Sequence, residues 1–259
     1  MPPEHQTEEA RPSPYLAVVG PVFNEEGNLA PLLDEIREAL AEMDKPWEVI
    51  LVDDCSTDGS LRRLLDLQAT CPQLRVLHLA GHSGLTAALD AGLRAARARF
   101  VATIDTDGQN DPRDIPVLLQ RVASGECDLA NGWRRDRRDP FLRRLSTRIA
   151  NAVRNALTSE EIRDSACGLR VFRREVAKAL KPFDGMHRFL PTLARMEGFR
   201  VLEVPVRHRP RVRGKAKYGV WNRVFRALRD TFAVRWMRSR ALRYEVKEMG
   251  GDNAPEAFG

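Results

Sequence analysis

Three acidic loops carry the side chains of this sequence that are best suited to chemistry. They lie at 21–25 (Pro-Val-Phe-Asn-Glu), 53–59 (Asp-Asp-Cys-Ser-Thr-Asp-Gly) and 105–109 (Asp-Thr-Asp-Gly-Gln). Carboxylates accept hydrogen bonds from a nucleobase or a ribose, and the Asp-x-Asp of the third loop offers the oxygen ligands that Mg²⁺ or Mn²⁺ prefers. One such loop is weak support, because acids are ordinary at helix N-termini. Three in succession predict a site for a nucleotide and a metal.

The chain around these loops predicts alternating strands and helices. Apolar stretches at 15–22, 47–52, 74–79 and 100–104 predict strands. Helices are expected at 29–43, from a cap at Ser56 or Thr57 to about residue 69, at 85–98 and at 112–124. Such repeats imply parallel strands with right-handed crossovers, and ligands of these sheets bind at the carboxyl ends of the strands. The acidic loops should therefore share one edge of an α/β sheet.

The second half of the chain is less regular. Short strands are expected at 128–130, 169–172 and 201–206, and helices at 142–157, 174–180 and 189–197. A basic loop with two glycines follows at 209–219, and then a candidate amphipathic helix at 220–243. Residues 1–14 are predicted to form a disordered tail and residues 244–259 a flexible one.

Charge is distributed unevenly along the 259 residues. Net charge is +6, but residues 134–148 carry +5 and residues 200–243 carry +12, which leaves −11 for the rest. A basic segment of this size indicates an anionic partner, either phosphorylated substrate, anionic lipid or nucleic acid. Nucleic acid is not expected, because the acidic strand-end loops would repel its backbone. No G-x-G-x-x-G or Walker glycine pattern occurs, which argues against a dinucleotide-binding dehydrogenase and a P-loop enzyme.

The remaining composition indicates the compartment. Four cysteines without a Cys-x-x-Cys pair predict free thiols in a reducing environment. No apolar run reaches the roughly 20 residues that span a bilayer, so a cytoplasmic protein, peripheral at the inner face of the cell membrane, is expected. His82, His187 and His208 lie near the motifs, but no His/Cys spacing predicts zinc.

Three further motifs are Gly-Trp-Arg at 132–134, Asp164 with Cys-Gly-Leu-Arg at 167–170, and Arg-Gly-Lys-Ala-Lys-Tyr-Gly at 213–219. Together with the three acidic loops, and in this order, they resemble the inverting nucleotide-sugar transferases of family 2, which have a GT-A fold. The resemblance is closest to the polyprenyl-phosphate branch, which includes dolichol-phosphate mannosyltransferases. It implies a GT-A domain, a mainly parallel Rossmann-like sheet flanked by helices, over residues 15–219.

The resemblance implies a role for each motif residue. Asp105 would contact the nucleotide or the sugar, and Asp107 would be the main protein ligand of Mg²⁺ or Mn²⁺, with Gln109 completing the metal or phosphate shell. Asp164 would orient an arginine or act as a base; a structural pair with Arg170 is the alternative. The nucleotide-sugar would be held by Pro21, Phe23, Asn24, Glu25, Asp54, Arg213 and Lys217, and the acceptor phosphate by Arg134, Arg143 and Thr147.

The implied reaction moves a hexose-type sugar from a UDP- or GDP-sugar to a polyprenyl phosphate such as undecaprenyl phosphate. Ala216 and Thr147 stand where the family often has serine, so the acceptor site departs most from the pattern. The branch also often carries membrane helices after this point, and none is expected here. Transfer to a soluble hydroxyl acceptor on the same fold is the alternative.

The helix predicted at 220–243 has an apolar stripe with arginines mostly elsewhere. This pattern suits a helix lying in the plane of an anionic membrane surface. It equally suits packing against the domain or against a second subunit in a homo-oligomer. The stripe consists of Trp221, Val224, Phe225, Leu228, Phe232 and Trp236.

Overall fold

The computed structural model of the chain describes residues 13–134, 162–210 and 220–241, without the side chains of residues 220–228. The first four strands and the helices after them alternate as the sequence predicts. The strands are β1 (Leu16–Val22), β2 (Trp47–Asp53), β3 (Leu74–His78), β4 (Phe100–Thr103), β5 (Leu129–Arg134), β6 (Arg170–Arg173) and β7 (Val201–Val206). The helices are α1 (Glu26–Ala39), α2 (Ser60–Thr70), α3 (Leu85–Ala95), α4 (Ile115–Ala123), α5 (Arg174–Ala179), α6 (Leu190–Met196) and α7 (Val220–Ser239).

The described strands form one sheet of seven, in the order β3-β2-β1-β4-β6-β5-β7. The first four pair in parallel, as predicted, and β5 pairs in parallel with β7. β6 lies antiparallel between β4 and β5. The beginning of β6 therefore reaches the edge where the other six strands end. The mainly parallel α/β fold expected from the sequence is confirmed.

Helices cover both faces of the sheet, so the central strands are apolar throughout. In β1, Leu16 and Val18 face the core under α1, α2 and α4, while Ala17 and Val19 face the core under α3, α5 and α6. This alternation follows from the two-residue period of a strand. Burial on both faces explains why the strand reads as a continuous apolar run.

Three helix starts differ from the expectation, the first being that of α1, which begins at Glu26 and not at residue 29. The helix that Ser56 or Thr57 was expected to cap begins instead at Ser60. Its N-cap residue is Gly59, which has no side chain to cap it. The prediction was wrong because both hydroxyl groups bond Asn24 in the first loop. The helix expected over 112–124 opens with a 3-10 turn, Pro112–Asp114, before α4. The helix expected at 142–157 lies outside the described residues.

Helix α7 packs on the domain by a partly polar face. Asp230 and Val234 are buried, and Asp230 lies 3.5 Å from the guanidinium of Arg188. Phe232 and Trp236 of the predicted stripe are 58% and 63% exposed. Packing of these two aromatics against the domain was therefore the wrong alternative. Among the described helices, none combines the length and apolar composition that crossing a bilayer requires.

Candidate active site

The carboxyl ends of the parallel strands place the three acidic loops along one rim of the sheet. β1, β2 and β4 are neighbours in register, so the loops after them start side by side. Because β6 runs antiparallel to β4, its first residue lies at the same rim. Gly168 and Leu169, which directly precede β6, therefore lie at this rim too. The expectation that the three loops share one edge is confirmed.

The first and second acidic loops are bonded to each other. The backbone N–H of Asn24 donates to Ser56 Oγ (3.0 Å), and that of Thr57 donates to Asn24 Oδ1 (2.8 Å). Asn24 and Cys55 both have positive φ, 53° and 58°, an uncommon backbone conformation for residues other than glycine. These hydrogen bonds between the loops stabilise the conformation of both turns at the same rim.

Glu25 is buried at the base of this pair of loops. Its backbone N–H donates to Ser60 Oγ (2.9 Å), and its carboxylate accepts from Asn28 Nδ2 (2.6 Å). Asp58 Oδ1 accepts from the N–H of Ser60 (2.9 Å), and hydrogen bonds lower the pKa of the Asp58 carboxyl although burial works against ionisation. Both acids thus stabilise the start of a helix.

Asp54 organises the loop that follows β3. Its two carboxylate oxygens accept from the N–H groups of Ser83 (2.7 Å) and Gly84 (2.8 Å). Its Oδ2 also lies 3.0 Å from Nδ1 of His82, whose ring stacks on Phe23 with centroids 4.3 Å apart. A fourth strand-end loop therefore joins the site predicted from three.

The Asp-x-Asp loop is tied to the first loop and to the start of β6. Thr106 Oγ1 donates to the carbonyl of Pro21 (2.8 Å). The carboxylate of Asp105 lies so close to Gly168 that a Cβ there would overlap it. Asp107 Oδ1 accepts from the N–H of Gln109 (3.1 Å) across Gly108, which has a φ of 74°. Asp105, Asp107 and Gln109 are thus brought together, and each is partly exposed.

Arg134, at the end of β5, forms a two-pronged ion pair with Asp164. Its Nε and Nη2 lie 2.7 and 2.8 Å from the two carboxylate oxygens. The side chains are 11% and 3% exposed. Burial opposes the charge of Arg134, but the hydrogen bonds and attraction of Asp164 raise its pKa. The role of orienting an arginine, expected of Asp164, is the one its contacts fit.

The alternative pair between Asp164 and Arg170 is wrong. Arg170 is buried and donates instead to Asn131 Oδ1 (2.9 Å) and to the carbonyl of Ser165 (2.8 Å). Burial lowers the pKa of the Arg170 guanidinium. Asn131 also donates to the carbonyl of Asp164 (3.0 Å). Arg170 therefore supports the segment that carries Asp164.

A second arginine cluster fixes the chain after β7 to the Asp-x-Asp loop. The N–H of Arg209 donates to the carbonyl of Gln109 (2.9 Å). Its guanidinium lies 2.8 Å from carboxylate oxygens of both Glu35 and Asp111. Burial opposes both charges, but the backbone N–H of Arg113 and the guanidinium of Arg209 lower the pKa of Asp111, and the two carboxylates raise the pKa of Arg209. Arg209 thus joins α1, the end of the Asp-x-Asp loop and β7.

Pro21, Phe23, Asn24, Glu25, Asp54, Asp105, Asp107, Gln109, Arg134 and Asp164 all lie at this rim. Arg143, Thr147, Arg213 and Lys217 were also expected there, but they lie outside the described residues.

The model of glycosyl transferase family 2 matches residues 17–181, which contain all these strand-end loops except the one after β7. The chain belongs to this family. The match begins within β1 and ends just after α5, so it includes the Asp-x-Asp loop and the Arg134–Asp164 pair.

Curated relatives in family 2 include two lipid-linked sugar transferases. The chain is 37% identical to dodecaprenyl-phosphate galacturonate synthase of Rhizobium johnstonii, over 90% of the chain and 68% of the relative. It is 35% identical to undecaprenyl-phosphate 4-deoxy-4-formamido-L-arabinose transferase of Edwardsiella ictaluri, over 80% of the chain and 63% of the relative. The chain therefore spans about two thirds of the length of each.

Solved structures with similar folds include glycosyltransferases. A Pyrobaculum calidifontis mannosyltransferase in complex with GDP-Man and Mn²⁺ has a TM-score of 0.61 at 24% identity, covering 90% of this chain and 66% of that one. Glucosyl-3-phosphoglycerate synthase of Mycobacterium tuberculosis, in complex with Mn²⁺ and UDP-glucose, has a TM-score of 0.64 at 21% identity, covering 87% and 79%. The fold of this family 2 chain is GT-A.

Sequence reasoning missed two parts of the site. The sequence predicts Arg209 only as one member of a basic loop, and it indicates His82 only by its proximity to the motifs. Both follow the last residues of a strand that ends at the rim. The strand-end rule that selected the acidic loops applies equally to cationic and aromatic side chains, and would have selected both.

Proposed function

We propose that this chain transfers a hexose-type sugar from a UDP- or GDP-sugar to a polyprenyl phosphate such as undecaprenyl phosphate, inverting the anomeric carbon. The observation that supports it most is the meeting of the acidic loops with the buried Arg134–Asp164 pair at one rim. The names of the two curated relatives support a polyprenyl-phosphate acceptor. The GDP-Man and UDP-glucose complexes of the structural neighbours support the donor class.

The nucleoside of the donor is assigned to the first two loops. Phe23 offers an aromatic ring that stacks on His82, while Asn24 and Glu25 are held by cross-loop bonds. Pro21 contributes backbone, since its carbonyl anchors Thr106. A pocket that is rigid before the ligand arrives loses less entropy on binding.

The residues present fit a divalent cation. Asp105 and Asp107 are hard oxygen donors on one short loop, and Mg²⁺ is commonly bound by one or two carboxylates plus substrate phosphates. No cluster of three or more His, Cys, Asp or Glu within the described ranges is arranged to hold a metal by itself, so the donor diphosphate would complete the shell. Asp107 with Gln109 would hold Mg²⁺ or Mn²⁺, which supplies Lewis-acid stabilisation of the leaving diphosphate.

The acceptor phosphate is assigned to Arg134, together with Arg143 and Thr147. A phosphate oxygen forms a bond to the anomeric carbon as the bond from that carbon to the nucleoside diphosphate breaks. The nucleoside diphosphate leaves with the electron pair. Since a phosphate is already ionised near neutral pH, its main difficulty is repulsion from the diphosphate, which fixed cationic groups such as Arg134 offset. Arg213 and Lys217 would contact the diphosphate itself.

The environment of Asp164 favours a phosphate over a hydroxyl acceptor. A hydroxyl needs a general base that reaches its proton. Asp164 is buried and its two oxygens accept from the guanidinium of Arg134, which suits a positioning role rather than proton abstraction. We therefore assign Asp164 to holding Arg134 for the acceptor.

A transfer assay tests the reaction. The full chain is incubated with undecaprenyl phosphate, Mn²⁺ and a panel of UDP- and GDP-sugars, and lipid-linked sugar and free nucleoside diphosphate are both measured. Asp107→Ala is expected to abolish transfer with an unchanged thermal midpoint, while Asp66→Ala, an exposed acid on α2, is the matched control with full activity. Absence of transfer from every donor, or full activity of Asp107→Ala, would contradict the proposal. Transfer to a soluble hydroxyl without lipid would favour the other acceptor.

Helix α7 is assigned to an anionic membrane surface at the inner face of the cell membrane. Phe232 and Trp236 are largely exposed, and Arg229, Arg235 and Arg238 on the same helix are exposed as well. Aromatic side chains insert at the headgroup level, and arginines add attraction to anionic lipid. A second copy of the chain against this face is the alternative occupant.

Vesicle flotation tests this assignment. The chain is expected to float with vesicles that contain phosphatidylglycerol and to remain behind with pure phosphatidylcholine. The double variant Phe232→Ser/Trp236→Ser should lose flotation without losing stability, because both side chains are exposed. Leu65→Ser, which changes a 52% exposed side chain on α2, is the matched control. Unchanged flotation of the double variant would refute the assignment, and a change in its mass in solution would indicate a dimer.

A further inference from the structure

The loop after β3 closes over Asp54 and brings His82 to the nucleotide end of the rim. Asp54 already accepts from the N–H groups of Ser83 and Gly84. Nδ1 of His82 lies 3.0 Å from Asp54 Oδ2 and 3.2 Å from the backbone carbonyl of Asp54. The carboxylate of Asp54, expected to help hold the nucleotide-sugar, is therefore engaged by three donors within the protein itself.

These contacts decide which ring nitrogen of His82 carries the hydrogen. Both atoms near Nδ1 are acceptors, so Nδ1 must be the donor. A neutral imidazole has one N–H and one acceptor nitrogen, and the tautomer is set by the bond that the other nitrogen makes. In the neutral imidazole Nε2 is therefore an acceptor, and it bonds no atom of the described residues.

The ring of His82 is held in a fixed plane beside the site. It stacks on Phe23 with an interplanar angle of 28°, and half of its side chain is exposed. Phe23 belongs to the loop assigned to the nucleoside. An oriented acceptor at this place is suited to a donor N–H on the edge of a nucleobase.

We propose that His82 is a specificity-determining residue, whose Nε2 accepts the ring N–H of the donor's nucleobase. Uracil has this hydrogen on N3 and guanine on N1, whereas the corresponding nitrogens of cytosine and adenine are acceptors and meet Nε2 without a hydrogen between them. His82 thereby selects uridine or guanosine nucleotides over cytidine and adenosine nucleotides. The inference rests on the proposed use of a nucleotide-sugar donor.

Two substitutions separate the two ring nitrogens. In His82→Asn the amide nitrogen takes the place of Nδ1 and keeps a donor toward Asp54, but nothing replaces Nε2. In His82→Gln the longer side chain brings its carbonyl oxygen, an acceptor, toward the position of Nε2. The matched control is His78→Asn, because Nδ1 of His78 lies 2.8 Å from Asp53 Oδ2 in the same way but on β3 itself.

Calorimetry in Mn²⁺ measures the binding of UDP, GDP and their ring-N-methylated analogues, with inorganic pyrophosphate as a ligand that has no base. We expect the wild type to bind the better of UDP and GDP about tenfold more tightly than its methylated analogue, the size of one lost hydrogen bond in a site. His82→Asn should weaken UDP or GDP by about the same factor and reduce the discrimination, with pyrophosphate unchanged. His82→Gln should restore part of both, and His78→Asn should match the wild type.

The outcomes distinguish the inference from the proposed function. If the wild type binds UDP or GDP and His82→Asn keeps the same affinity and the same discrimination, the inference is overturned while nucleotide binding stands. A loss of pyrophosphate binding equal to the loss of UDP binding also overturns it, because the effect would then be on the whole loop. If neither UDP nor GDP binds the wild type, the proposed function fails and the inference fails with it.

Discussion

Replacing Asp164 by asparagine tests whether the buried ion pair with Arg134 is as costly to break as its geometry implies. The two side chains are 3% and 11% exposed and share two hydrogen bonds of 2.7 and 2.8 Å. The Asp164→Asn amide keeps one acceptor oxygen but turns an NH₂ group toward the guanidinium. Removing one partner of a buried pair costs about 3–5 kcal/mol because the other charge stays buried. We expect the lower end, about 3 kcal/mol.

The assay is urea and thermal unfolding of the full chain. For a chain of this size, 1 kcal/mol corresponds to roughly 2–4 °C in the midpoint, so Asp164→Asn should lower the midpoint by about 6–12 °C. Glu126→Gln is the matched control, since its pair with Arg121 is 45% and 49% exposed. An exposed pair contributes about 1 kcal/mol or less. Nucleotide affinity should change little, while transfer to lipid phosphate should fall.

A double-mutant cycle identifies the cause. If the cost comes from an uncompensated charge, adding Arg134→Met to Asp164→Asn should recover part of the lost stability, so the two changes together cost less than their sum. Additive costs, or a loss from Asp164→Asn no larger than that from Glu126→Gln, would refute the reasoning.

Three further changes are expected to have measurable effects. Gly168→Ala places a Cβ against the carboxylate of Asp105, so we expect a loss of about 1–3 kcal/mol in urea unfolding, together with reduced transfer. Burial raises the pKa of the Cys167 thiol to about 11, so alkylation at pH 8 followed by mass spectrometry should modify the partly exposed Cys55 first. Burial opposes ionisation of Asp128, but hydrogen bonds from the side chain and the backbone N–H of Arg200 lower the pKa of the Asp128 carboxyl below 3.8. The stabilisation that Asp128→Asn removes, about 1 kcal/mol or less, should therefore be present at pH 7 and vanish as the pH falls below that value.

The first half of the fold was predictable because its signals are local and repeated. Each buried strand is an apolar run of four to seven residues, and the helices between show a 3.6-residue period. Because strands alternate with helices, the strands must pair in parallel. Parallel pairing alone then places Asp54 and Asp107, which follow two of these strands, at one rim of the sheet. The loops were predictable for the same reason that the sheet was.

Pairings between distant charges were not predictable in this way. Asp164 lies near two candidate partners, Arg134 and Arg170, and only the strand order decides between them. β6 runs antiparallel between β4 and β5, so Arg170 points its guanidinium to Asn131 and Ser165, while Arg134 at the strand end meets Asp164. Periodicity does not predict such a choice, because it indicates which residues share a face of a strand and not which distant charge each one meets.

Which side of α7 faces the domain was not predictable from the sequence either, and this orientation decides what the helix can contact. A helical period identifies a stripe but not the side that faces the domain. Here the buried side includes Asp230, whose charge is met by Arg188 and whose carboxylate fits against Gly185, a glycine with a φ of 100°. The domain thus packs against a partly polar side of the helix, where Val234 is buried as well as Asp230, and leaves Phe232 and Trp236 exposed. An ordinary surface helix does the reverse, which is why we assign the aromatic side to lipid rather than to the domain.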